Sequence, residues 1–191
     1  MGKFTGTRTP ALLVHGIGSR PAWWNPLLPV LAAAGLKPVP LRLPPLENGG
    51  PAGWRDEVLA HIHGPPVLLI GHSLGAAVCL EAARVKPVRG LVLLACPPFF
   101  PDFTPPPPPD TGLSAAAMKR VARFLRTACD QASGLQAECI HFVGSMDRWA
   151  PVEPARRLPF PLIEIPGAGH GLNRSVRLAE QLAEWLRAFQ K

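Results

Sequence analysis

The sequence predicts an α/β fold, a mostly parallel sheet of about six strands with helices on both faces. Two observations carry that expectation. Short, continuous apolar runs alternate with stretches whose apolar residues recur at helical spacing, which is the rhythm of strand and crossover helix. The runs are also apolar throughout rather than alternating with polar residues, as strands buried on both faces are. A third observation bounds the size. The chain has 191 residues, 47% of them apolar and 17% charged, which fits one globular domain over residues 1–191 with a single sizeable core.

Taken in order, the apolar run 11–14 reads as a buried strand that breaks at His15-Gly16-Ile17-Gly18. A helix is expected over 22–34, stopped by Gly35, and then a strand over 39–43. Pro40 puts that strand near a sheet edge, since proline cannot donate to a ladder. An amphipathic helix over 53–62 carries Trp54, Val58, Leu59 and Ile62. The strand 67–70 follows, then a helix that Pro87 ends. Further strands are expected over 90–95, 140–143 and 162–165, and a last helix over 175–189 with Val176, Ala179, Leu182, Ala183 and Leu186 on one face. Residues 97–134 depart from the rhythm. They hold Phe99, Phe100, Phe103, five consecutive prolines at 105–109 and a helical stretch over 113–129, and a connection of that length reads as a small lid. The proline run is also a conceivable ligand for a proline-binding partner.

Between the strand 67–70 and its following helix stands Gly71-His72-Ser73-Leu74-Gly75. A serine with glycine two residues away on each side, at a strand-to-helix junction, is the pattern of a nucleophile elbow. The turn strains the central residue and brings strand and helix so close that the flanking positions must lack a side chain. A serine hydroxyl is a weak nucleophile alone, so it needs a base, a group to orient the base, and donors for an oxyanion. The chain offers an acid, Asp147, in the loop after the strand 140–143, and a histidine, His170, in the glycine-rich loop after the strand 162–165.

These residues, in the order Ser, Asp, His, together with the His15-Gly16-Ile17-Gly18 turn, resemble a small member of the α/β-hydrolase superfamily over nearly the whole chain. The resemblance implies an α/β-hydrolase fold reduced to about six strands, without the leading strands of larger relatives. It implies Ser73 as nucleophile, His170 as base and then acid, and Asp147 as the group that fixes the imidazole. It further implies an oxyanion hole from the backbone amides of Leu74 and Ile17. The expected activity is cleavage of a carboxylic ester, or a thioester, of a small and largely apolar substrate through an acyl-enzyme. A carbon–carbon hydrolase or lyase with the same triad, or a binding protein that keeps the fold, are the rival readings. Asp102, which follows the strand 90–95, is the alternative acid.

The remaining features have plainer readings. Trp23, Trp24, Phe99, Phe100, Phe124 and Trp149 are expected to line an apolar substrate pocket. Lys119, Arg120, Arg123 and Arg126 on the lid helix form a solvated face or attract a carboxylate-bearing substrate. The net charge of +7 is carried by scattered arginines without interleaved aromatics, which argues against nucleic acid. Pro21 stands where a dinucleotide fingerprint beginning at Gly16 would need glycine, so no cofactor is expected. His61 and His63 lack companion ligands, so no metal is expected either. His72 and His15 read as structural supports and His141 as a strand histidine. Cys79, Cys96, Cys129 and Cys139 form no Cys-x-x-Cys pair. With no apolar leader in residues 1–6, no membrane span, and a small molecule as the only expected partner, a cytoplasmic monomer or small homo-oligomer is the expectation.

Overall fold

A computed structural model describes residues 8–64, 66–106 and 111–189. The expectations for the N-terminal segment 1–6 and for prolines 107–109 lie outside the described residues.

Six strands form one sheet: β1 (Thr9–Val14), β2 (Leu36–Pro40), β3 (Leu68–His72), β4 (Gly90–Leu94), β5 (Glu138–Gly144) and β6 (Leu162–Ile165). Their spatial order is β2-β1-β3-β4-β5-β6, and every neighbouring pair is parallel. The helices are α1 (Leu28–Ala33), α2 (Leu46–His61), α3 (Leu74–Val85), α4 (Ala115–Asp130), α5 (Val152–Ala155) and α6 (Val176–Phe189).

Strand period decides which face each residue serves. Leu12, Val14, Leu69, Leu91 and Leu93 join one core with Trp54, Val58, Val78, Val121 and Leu125 from α2, α3 and α4. Their neighbours Leu13, Leu68, Ile70, Val92 and Leu94 point the other way, into a core with Leu31 of α1 and Leu178, Leu182 and Leu186 of α6. The chain runs outward from β1 to β2 and then returns to place β3 on β1's other side. The crevice at the C-terminal ends of β1 and β3 is therefore the switch point where open α/β sheets bind ligands.

Three elements differ from expectation, each for a proline or glycine reason. The helix expected over 22–34 is a 3-10 turn, Pro21–Trp24, followed by the short α1, because Pro26 interrupts the run. The second strand is shifted to Leu36–Pro40 and does lie at the sheet edge. Pro38 and Pro40 share the parity that faces away from β1, whereas the amide of Leu41 donates to the Leu13 carbonyl at 3.0 Å. Helix α2 begins earlier, at Leu46, and breaks at Gly50, whose φ of 59° lies outside helical space; Pro51 then starts the second segment, where its missing N–H is harmless. Among the described residues, no helix is long and apolar enough to cross a membrane.

Candidate active site

Strand β3 delivers Ser73 to the switch point. Its φ of 54° and ψ of −126° put it in strained backbone, a property shared among the described non-glycine residues only by the positive φ of Ala95. The flanking glycines are required by contact. A β-carbon on Gly71 would lie 2.5 Å from the Ala76 Cα, and one on Gly75 would collide with the Val14 carbonyl and sit 2.5 Å from the His15 oxygen. Helix α3 thus packs directly against the ends of β3 and β1, and Ser73 stands between its first turn and the crevice.

The serine hydroxyl lies 2.9 Å from Nε2 of His170. On the opposite edge of that ring, Nδ1 is 2.8 Å from Oδ2 and 3.1 Å from Oδ1 of Asp147. A carboxylate there accepts, so the ring proton belongs on Nδ1, and Nε2 keeps a lone pair for the serine hydrogen. Asp147 is itself held by the amides of Trp149 and Ala150, which donate to Oδ1 at 2.8 and 2.9 Å. Burial works to raise its pKa. The hydrogen bond and charge of His170 and the two amides outweigh that and hold the carboxyl below its ordinary value. Asp102, the alternative acid, instead pairs with Arg157 at 2.8 Å on the exposed surface.

Ile17 and Leu74, the expected oxyanion donors, both border the cavity above Ser73. Leu74 opens α3, so its amide has no partner within the helix, and no hydrogen bond engages either amide among the described residues. The turn after β1 is fixed by Ser19 N–H donating to the Gly16 carbonyl at 3.2 Å and by a positive φ of 68° at Gly18. His15 Nδ1 donates to the Gly16 carbonyl at 3.0 Å, and the ring meets Trp54 edge-on.

His72 supports the opposite wall. It is 5% exposed, stacks on Trp23 with ring centroids 4.1 Å apart, and its Nε2 donates to the His170 carbonyl at 2.9 Å. Burial, with the nearby His170 second, lowers its pKa to about 3. The ring is therefore a neutral brace for the loop that carries His170. The Trp149 ring meets the His170 ring edge-on at 5.0 Å.

The cavity has a volume of about 490 Å³ and is roofed by Met118, Val121, Ala122 and Leu125 of α4 and by Pro105, Pro106 and Thr111. Of the six aromatics expected in it, Phe99 and Trp149 line it. The other four do not. Trp24 is fully buried in the core under α1 and α6, and Trp23 is behind the wall, stacked on His72. Phe100 is buried beneath the Arg157 guanidinium, 4.0 Å from its ring centroid. Phe124 faces a separate cleft between α2 and α4, with Arg120 and Arg123. The proline-broken turn at 21–26 and the α4 helix phase set these directions, and neither is readable from residue type.

Sequence reasoning also missed a buried tie behind the site. Fully buried His141 accepts the Cys96 amide at its Nε2, 3.1 Å away, where the chain leaves β4 through Ala95 at a φ of 49°. Burial lowers its pKa to about 3. The period of β5 marks His141 as inward-facing, but nothing local marks its partner. Asn173 donates from Nδ2 to the Trp23 carbonyl, joining the segment after His170 to the turn behind His72.

A model of the alpha/beta hydrolase family matches residues 11–185. Among solved structures, a monoacylglycerol lipase from Paleococcus ferrophilus superposes with a TM-score of 0.75 at 20% identity, over 94% of this chain and 94% of that one. The esterase domain of a Rhodothermus marinus protein gives 0.70 at 21% identity, over 97% and 89%. A thioesterase domain from the curacin biosynthetic pathway gives 0.67 at 17% identity, over 94% and 91%. At these identities the likeness is one of fold. No curated protein matches the sequence.

Proposed function

We propose that this chain, which belongs to the alpha/beta hydrolase family, is a serine hydrolase that cleaves a carboxylic ester of a small, largely apolar substrate through an acyl-enzyme. The observation that carries the reading is the continuous hydrogen-bonded line from Ser73 through His170 to buried Asp147, opening onto an apolar cavity. A serine in strained backbone, aimed at an imidazole whose tautomer is fixed, is a costly arrangement for a binding protein to keep.

In the reaction, Ser73 Oγ attacks the substrate carbonyl while its proton passes to His170 Nε2. Negative charge develops on the former carbonyl oxygen, and the amides of Ile17 and Leu74 are the donors that meet it. His170 then gives its proton to the departing alcohol oxygen, which leaves Ser73 acylated. Water attacks the acyl group next, losing a proton to His170; the acid departs and the proton returns to Ser73. Asp147 keeps Nδ1 protonated throughout and stabilises the imidazolium while it exists. Helix α4 of the 97–134 lid presents Val121, Ala122 and Leu125 to the cavity that receives the substrate. A thioester, with a thiolate as leaving group, fits the same sequence of steps.

A chain-length series of 4-nitrophenyl esters tests the reading. Pre-steady-state release of about one equivalent of nitrophenol, followed by slower turnover, is the expected signature of an acyl-enzyme, with kcat/KM rising over short acyl chains until the cavity is filled. Turnover without dependence on Ser73, or none across the series, contradicts it.

A further inference from the structure

The cavity beside Ser73 carries one formal charge. Lys119 borders it among Met118, Val121, Ala122 and Leu125, and no aspartate, glutamate or arginine does so among the described residues. Lys119 itself is exposed and has no hydrogen bond or ion pair there. A lysine at the edge of an apolar helix face commonly extends into water, and such a residue is unremarkable where neighbouring acids balance it. Here nothing does. Helix α4 holds Lys119, Arg120, Arg123 and Arg126, its one acid is Asp130 at the last position, and among the described residues no carboxylate lies within 4.0 Å of any of the four cations. Across the interface, Glu47 is engaged by the Ser114 amide at 2.7 Å and hydroxyl at 3.0 Å, and Arg120, whose charge also acts on that carboxylate, donates to the Glu47 carbonyl.

We propose that Lys119 is a specificity-determining residue that binds an anionic group, such as a carboxylate, carried by the substrate beyond an apolar body that fills the cavity. The inference rests on the serine hydrolase reading and names the substrate class of that site. An apolar chamber whose described wall carries one cation and no acid rewards a ligand of matching polarity. The chain buries among Phe99, Leu125 and Trp149, and its charged end meets the ammonium where the chamber opens. The other three cations contribute a positive field that draws anionic esters toward the opening, an effect that salt suppresses.

The test compares kcat/KM for two matched pairs at low ionic strength. One pair, 4-nitrophenyl hexanoate and the mono-4-nitrophenyl ester of adipic acid, puts the charge on the acyl side. The other, phenyl hexanoate and 4-carboxyphenyl hexanoate, puts it on the alcohol side. In one pair the anionic ester is expected to be preferred about five- to tenfold, the range of a single charge-assisted contact at a partly exposed site. That ratio should fall to about one in Lys119→Gln and below one in Lys119→Glu, while Arg126→Gln, which does not border the cavity and adds only to the outer field, lowers it less than about twofold. Thermal melts of the variants verify folding. Absence of preference in both pairs, or a preference that survives in both Lys119 variants, overturns the proposal. So does a preference that arises only with anionic phosphatidylglycerol vesicles present, which would make α4 a surface-docking element instead. Cleavage of the neutral esters without any charge preference defeats this inference alone; failure to cleave any of the four defeats the hydrolase reading beneath it.

Discussion

Moving this protein from pH 8 to pH 5 should remove about 4 kcal/mol of folding stability, and two buried histidines should account for it. His72 and His141 are both held near a pKa of about 3 by burial, from an ordinary value of 6.5. In the unfolded chain each takes a proton as the pH falls through 6.5, while in the folded chain neither does until the pH approaches 3. Their stabilisation is thus complete above 6.5 and drains away across that window as the unfolded state gains protons. At pH 5 the unfolded side has gained roughly 1.5 units of protonation energy per histidine, or about 2 kcal/mol each at 1.36 kcal/mol per unit. For a chain of this length, the pair corresponds to a Tm lower by about 8–16 °C. His15, also lowered by burial, acts in the same direction. Urea unfolding at pH 8 and pH 5 measures the loss, and His141→Gln isolates one contributor, because glutamine retains an acceptor for the Cys96 amide without a titrating proton. The expected result is that the pH-dependent loss falls by about half in the variant. An unchanged loss would refute the assignment of acid sensitivity to these buried rings.

Three substitutions address the candidate site. Asp147→Asn cannot hold the Nδ1–H tautomer of His170, so kcat/KM for a 4-nitrophenyl ester should drop by about 10³–10⁴, whereas Asp102→Asn, which breaks only a surface pair with Arg157, should change it less than about twofold. The opposite ranking would return the acid's role to Asp102. Gly16→Ala puts a β-carbon 2.8 Å from the Ser73 Cβ and 3.1 Å from His72 Nδ1, which should displace the turn bearing the Ile17 amide and lower kcat by about 10²-fold in a protein that still folds. Full activity in that variant would show that the turn has room the close contacts deny.

The parts of the site legible in the sequence are those whose geometry is local. Gly71 and Gly75 announce the elbow because a side chain at either meets the backbone of a neighbouring element, and this exclusion leaves its mark on residue type. Asp147 and His170 were readable because each ends a recognisable strand at the same sheet edge. Trp23 and Trp24 were not, since adjacent residues in one 3-10 turn point to different places, one onto His72 and one into the core. The bracing of His170 by His72 was hidden for a related reason. It joins residues far apart in the chain through a backbone carbonyl, and a carbonyl carries no residue-type signal. The fold was legible from strand and helix rhythm, and its errors fall where proline or glycine overrides that rhythm, at Pro26 and Gly50.

The central claim is that Ser73 is an activated nucleophile, and covalent labelling tests it most directly. Incubated with a fluorophosphonate and analysed by peptide mass spectrometry, the protein should carry one phosphonyl adduct on Ser73, absent from Ser73→Ala and strongly slowed in His170→Ala. Folded wild-type protein that remains unlabelled, or that labels at a serine other than Ser73, would contradict the account.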